Sequence, residues 1–310
     1  MNDDRTDNTV LKVPKAVGIA VLSAALFVLL AIISCSSGGS DSSDTNGVVT
    51  ASSPYSVGIL LEADGLRNGP DYAGATVYYP ADAEPPFASI VIVPGYLFEE
   101  SSIQEWGPFY ASYGIVAMTI GTNSGTDNPD ARANALIDAA ETLRQENTRA
   151  DSPLNGKLDI ERIALSGWSM GGGGAQLAAV MDPSFKAVVA LCPWLDITEL
   201  TVSDLNHTVP LLIISGQLDT VAPPSENANI HYDYTPTTTD KLLYEVFQGP
   251  HNVANGPDVT NAEGVSYSNG EVGQFALAWL RVYLEDDVSY RPSLFEVPES
   301  ASNYETNLEP

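Results

Sequence analysis

The sequence predicts an α/β fold, a mostly parallel central sheet with helices on both faces. Three observations carry this expectation. Short apolar runs alternate with segments of helical spacing from residue 54 onward. The run 89–93 is apolar almost end to end, as in a strand covered on both sides. With 310 residues, 44% of them apolar, the chain is long enough for one large domain plus a leader.

The leader comes first. Residues 1–15 carry Arg5, Lys12 and Lys15, and 16–33 are apolar apart from Gly18 and Ser23. A basic flank, an apolar stretch and Ser34 before Cys35 describe a signal peptide of lipoprotein type over 1–34. Cys35 would then be lipidated and become the new N-terminus, anchoring the chain to a membrane. An uncleaved N-terminal membrane anchor is the competing reading, because the apolar run approaches spanning length. Residues 35–53 are rich in Ser, Gly, Asp and Thr and read as a flexible polar linker. The expected location is secreted or on the cell envelope as a lipoprotein.

Residues 54–296 read as the folded catalytic domain. Strands are expected at 57–61, 75–79 and 89–93, a helix at 102–113, and a buried strand at 115–120. Asn128-Pro129-Asp130 is a helix start: Asn caps, Pro takes the first turn and Asp meets the dipole. Leu136, Ile137, Ala140 and Leu143 keep helical spacing after it. A strand at 163–165 is followed by a helix at 175–181, then strands at 187–191, 211–215 and 242–247. An amphipathic helix at 272–284 presents Phe275, Ala276, Trp279, Leu280 and Tyr283. Residues 297–310 read as a polar, frayed tail.

The net charge of −27 excludes nucleic acid as a partner and repels anionic surfaces at range. It suits a neutral or cationic partner, or a salty medium. The two cysteines, Cys35 and Cys192, suggest neither a disulfide framework nor a cysteine metal site. Cys192 reads as a small buried apolar residue at a strand end. No cofactor and no metal are expected, and the chain is expected to be a monomer.

The chemistry centres on Gly167-Trp168-Ser169-Met170-Gly171, which lies between the 163–165 strand and a helix. That context makes Ser169 a candidate nucleophile, with glycines where side chains would clash in the tight turn. A serine needs a base held by an acid, here expected in the order Ser, Asp or Glu, His. Of three histidines, His207 precedes any suitable acid and His231 reads as a surface residue on a polar helix. His251, in the loop after the last expected strand, is the base. Asp219 follows strand 211–215 and is the acid, with Asp196 and Asp204 as rivals. The oxyanion donors are expected from the backbone of Met170 and of Tyr96, after the early central strand. The rings of Tyr96 and Trp194 would flank the serine, although either could equally be core.

On these residues the sequence resembles the bacterial polyester hydrolases, the cutinase-like and poly(ethylene terephthalate) hydrolases of the α/β-hydrolase fold. The shared segments run from about Gly74 to Leu284. They include Val93-Pro94-Gly95-Tyr96, Ser101-Ser102-Ile103, Trp106-Gly107-Pro108, Thr122-Asn123-Ser124, Pro193-Trp194 and Asp219-Thr220-Val221-Ala222-Pro223, besides the serine motif with its run of glycines. The resemblance implies an α/β-hydrolase without a large lid domain, cleaving esters through an acyl-enzyme. It places the triad on Ser169, Asp219 and His251, the oxyanion donors on Tyr96 and Met170, an aromatic clamp on Tyr96 and Trp194, and Val221 on the pocket wall. Trp168 matches the poly(ethylene terephthalate) hydrolase subgroup, and the resemblance places it among the substrate-binding residues. Leu97 and Phe98 are bulkier than the family pattern and Asn252 is substituted, so these three are expected to reshape the substrate cleft. The family's disulfide near the C-terminus has no counterpart after Cys192, which implies a less tightly fastened C-terminal segment. A lipase or general esterase for small soluble esters is the nearer alternative, and a tethered binding protein without turnover the remote one.

Overall fold

The computed structural model describes residues 55–309 apart from 197 and 199. The expected signal peptide, Cys35 and the linker lie outside the described residues.

Among the described residues, nine strands form one sheet. At one edge β1 (Val57–Leu61) pairs antiparallel with β2 (Ala75–Pro80), and β2 pairs antiparallel with β4 (Val116–Ile120). From β4 the sheet continues in parallel through β3 (Phe87–Val93), β5 (Leu158–Trp168), β6 (Val188–Leu191), β7 (Leu211–Gly216) and β8 (Lys241–Val246). β9 (Ala301–Thr306) closes the other edge antiparallel to β8.

The pleat of β3 explains the layers. Val91 and Val93 point into one apolar cluster and Ile90 and Ile92 into the other. The first cluster is completed by α2 (Pro129–Glu146), α3 (Met170–Met181) and α4 (Ala228–Tyr234). The second is completed by α1 (Trp106–Ser112) and α5 (Glu271–Tyr283). A mostly parallel sheet covered on both faces is the α/β-hydrolase arrangement. Between β6 and β7, where a lid could insert, the described residues form only loop and one short 3-10 turn, Val202–Leu205. No helix among the described residues is long and apolar enough to cross a membrane.

The start of α2 is as the sequence predicts: Asn128 Oδ1 accepts the Ala131 N–H at 2.9 Å, with Pro129 first in the helix. Three expectations need correction. The helix expected from 102 begins only at Trp106, because the preceding backbone N–H groups close i→i−3 turns onto Glu99, Glu100, Ile103 and Gln104. The helix after the serine begins at Met170, so all four glycines lie inside it. Their low propensity is overridden by close packing, since a Cβ on Gly171 would lie 2.4 Å from the Val93 carbonyl oxygen.

The third correction concerns the C-terminus. The tail does not fray: it supplies β9, with Tyr244 opposite Tyr304 and Leu242 opposite Thr306. The Glu271 carboxylate accepts the N–H groups of Glu299 at 3.0 Å and Ser300 at 2.9 Å, and Phe247 N–H donates to Ser300 O at 2.7 Å. Ladder and carboxylate thus fasten the segment that lacks the family's disulfide. An edge strand held by main-chain bonds needs no apolar alternation, which is why 301–306 looks like a tail.

Candidate active site

The site is assembled where the parallel strands end. Ser169 sits between β5 and α3 with φ 58° and ψ −121°, a conformation that a non-glycine residue adopts only under constraint. The constraints are explicit. Ser169 N–H donates to Leu191 O at 2.8 Å, and its carbonyl accepts Gly172 N–H at 2.9 Å and Trp194 N–H at 2.9 Å. A Cβ on Gly167 would lie 2.3 Å from the Gly171 backbone, so the two glycines flanking the serine meet face to face. The serine is buried, and its hydroxyl donates to no group among the described residues.

Asp219 follows β7 in a turn closed by its N–H on Gly216 O at 3.0 Å. Its carboxylate is out of solvent, and both oxygens accept hydrogen bonds. Oδ1 accepts the N–H groups of Val221 and Ala222, both at 2.8 Å, and Oδ2 accepts His251 Nδ1–H at 2.6 Å. A carboxylate accepts only, so the Nδ1 proton is fixed and Nε2 is left as the basic nitrogen. The His251 side chain is 14% exposed. The loops after β7 and β8 are tied together by Leu218 N–H on Gly249 O at 2.8 Å. The rival acids are spent locally, Asp196 on Thr198 and Asp204 on Thr201.

Trp168 is the residue whose placement differs most from expectation. It is not a cleft wall: it is 2% exposed, with Phe98 edge-on at 4.7 Å between ring centres and His251 at 5.1 Å. Its indole N–H donates to His251 O at 2.9 Å, committing the ring to the histidine loop. Phe98, Leu97, Tyr96 and Val221 are exposed, Asn252 is exposed beside His251, and Trp194 is half-buried next to the serine. Leu97 has φ 61°. The Tyr96 N–H makes no hydrogen bond among the described residues. Met170 opens α3, so its N–H has no partner within the helix.

Leu218 and Phe247, which the sequence did not single out, are also exposed at this sheet edge. Large apolar residues in the polar loops after β7 and β8 were the available signal. His231 is not on the surface. It is fully buried on α4, and its Nδ1 meets Gln176 Nε2 at 2.8 Å. Burial lowers its pKa to about 3, and that of His207 to about 4.

Cys192 is buried at the end of β6, as expected. Burial and the Asp219 charge push its thiol well up. Its sulfur, an Asp219 oxygen and a His251 nitrogen lie within 4.8 Å of one another. They are the one set among the described residues with the spacing for a metal, but the His251–Asp219 hydrogen bond already occupies two of them.

A family model described as PET hydrolase-like matches residues 39–309. The chain is 35% identical to the cutinase est1 of Thermobifida alba over 250 residues, 80% of this chain and 77% of that one. It is 32% identical to a bis(hydroxyethyl) terephthalate hydrolase of Streptomyces coelicolor over 253 residues, 81% and 74% of the two chains. Against cutinase 1 of Thermobifida cellulosilytica identity is 33% over 255 residues, covering 82% and 89%.

Proposed function

The chain belongs to the PET hydrolase-like family of serine ester hydrolases, and on that premise we propose that it cleaves polyesters through Ser169, His251 and Asp219. The observation that carries the reading is the 2.6 Å bond from His251 to a fully buried Asp219 at the sheet edge where Ser169 is held at positive φ. Ser169 Oγ attacks the ester carbonyl carbon while His251 Nε2 takes its proton, and Asp219 steadies the imidazolium. The N–H groups of Tyr96 and Met170 receive the oxyanion. The alcohol leaves with the proton from Nε2, and water then repeats the sequence on the acyl-enzyme, releasing the acid. Tyr96, Trp194, Leu97, Phe98, Val221 and Asn252 border the substrate. The signal peptide and lipidated Cys35 would export and tether a monomeric enzyme on its polar linker.

A second reading has a specific observation behind it. Phe98 covers Trp168, so the ring closest to His251 is withheld from substrate, which favours small soluble esters over a polymer chain. The test is hydrolysis of amorphous poly(ethylene terephthalate) film beside a p-nitrophenyl ester, for the wild-type chain and Ser169→Ala. Turnover of both substrates, lost in the variant, supports the polyester reading. Turnover of the soluble ester alone selects the second. Activity that survives in Ser169→Ala overturns both.

A further inference from the structure

Arg132, on the first turns of α2, has 0% exposure, yet among the described residues it forms no ion pair. Its guanidinium is spent on three backbone carbonyls. Nη1 donates to Pro94 O at 2.8 Å, Nη2 to Gly125 O at 3.3 Å, and Nε to Asp127 O at 3.1 Å. Burial lowers its pKa to about 10, opposed by the charge of Asp127, so it stays cationic at neutral pH. Several half-buried guanidinium groups pair with acids instead, among them Arg67 with Asp138, Arg149 with Glu146 and Arg281 with Glu285. Burying a cation against neutral carbonyls is costly, and what those carbonyls hold is informative.

They hold the turn that carries Tyr96. Gly125 O, one of the three, also accepts Leu97 N–H at 2.7 Å. Pro94 O lies against α3 as well, where a Cβ on Gly171 would come within 2.7 Å of it. Phe98 N–H closes the turn on Gly95 O at 3.2 Å. The peptides on both sides of Tyr96 are therefore pinned, while the Tyr96 N–H itself is left free. Gly174 makes the reach possible, because a Cβ there would stand 2.9 Å from Arg132 Cβ and hold α2 away from α3.

We infer that Arg132 is a positioning residue for the oxyanion site, aiming the Tyr96 N–H by clamping Pro94 O and Gly125 O. It acts through the backbone and touches no substrate. The inference rests on the reading of Tyr96 as an oxyanion donor. A clamp of this kind acts on the transition state, where the oxygen is charged, and leaves ground-state binding alone.

The test uses the full chain with Arg132→Gln and Arg132→Lys, a p-nitrophenyl ester, and phenylboronic acid as a tetrahedral adduct of the serine. Removing one oxyanion donor costs about 100–1,000-fold in kcat, so a misaimed donor should cost about 10–100-fold in Arg132→Gln, with KM within about twofold. Boronate affinity should fall in step with kcat. Arg132→Lys, which keeps the charge and loses the fork, should fall between the two. If Arg132→Gln does not fold, the same split in Arg132→Lys supports the clamp. Folded variants with a lowered melting temperature but unchanged kcat and boronate affinity would overturn it, leaving Arg132 a staple of the fold. Failure of the proposed ester hydrolysis itself looks different: the wild-type chain would neither turn over the ester nor bind the boronate.

Discussion

Asp219 Oδ2 accepts the Nδ1 proton of His251 at 2.6 Å while Oδ1 of the same carboxylate takes two backbone N–H groups from its own turn. The acid is thus fixed by its loop before it fixes the histidine. Asp219→Asn would keep the shape and replace one oxygen with an N–H donor. His251 would then turn its proton to Nε2 and lose the basic nitrogen facing outward. The expected loss in kcat is about 10³–10⁴-fold at neutral pH, read with a p-nitrophenyl ester, at a melting temperature close to wild type.

Phe98 packs edge-on against Trp168, between that ring and solvent. Phe98→Ala removes the ring that lies 4.7 Å from the indole and should open a flat aromatic floor beside His251. Product release from polyester film should rise relative to soluble ester turnover, measured on one enzyme preparation. An unchanged ratio would mean that the covered tryptophan does not govern access.

Acid should unfold this protein through its unused histidines. Burial lowers His231 to about 3 and His207 to about 4, against 6.5 when free. Below pH 6.5 the unfolded chain takes up protons that the folded chain does not, so stability falls from there down towards pH 3–4. Both imidazoles contribute full stability only above about pH 6.5. Urea unfolding between pH 7.5 and 4.5 should show that slope, and His231→Gln should make it shallower.

The C-terminal edge can be loosened at one carboxylate. Glu271 accepts two backbone N–H groups of residues 299 and 300, just before β9. Glu271→Ala leaves those donors without their acceptor and should destabilise by about 1–3 kcal/mol. Denaturant titration reads this directly. Limited proteolysis should cut first within 297–306.

The serine motif was legible because its constraints are local: two glycines and a strand-to-helix junction within a few residues of Ser169. The meeting of Asp219 with His251 was legible because the parallel strands send their C-terminal ends to one edge. The polar β9 escaped notice because an edge strand is held by main-chain bonds that residue type does not encode. His231 looked exposed beside Asn229 and Tyr232, since its partner Gln176 lies on another helix. Arg132 gave no signal because its three acceptors are carbonyls. Trp168 could be matched to a subgroup, but not its cover by Phe98, a contact across seventy positions of chain.

The proposed mechanism acylates Ser169 during turnover. The most direct measurement is reaction with a p-nitrophenyl phosphonate, followed by peptide mass mapping and residual esterase activity. One phosphonyl group per chain is expected, on the peptide containing Ser169, with activity lost in proportion to labelling and no label in Ser169→Ala. An ester-hydrolysing protein that keeps its activity with Ser169 unlabelled, or carries the label on another residue, would contradict it.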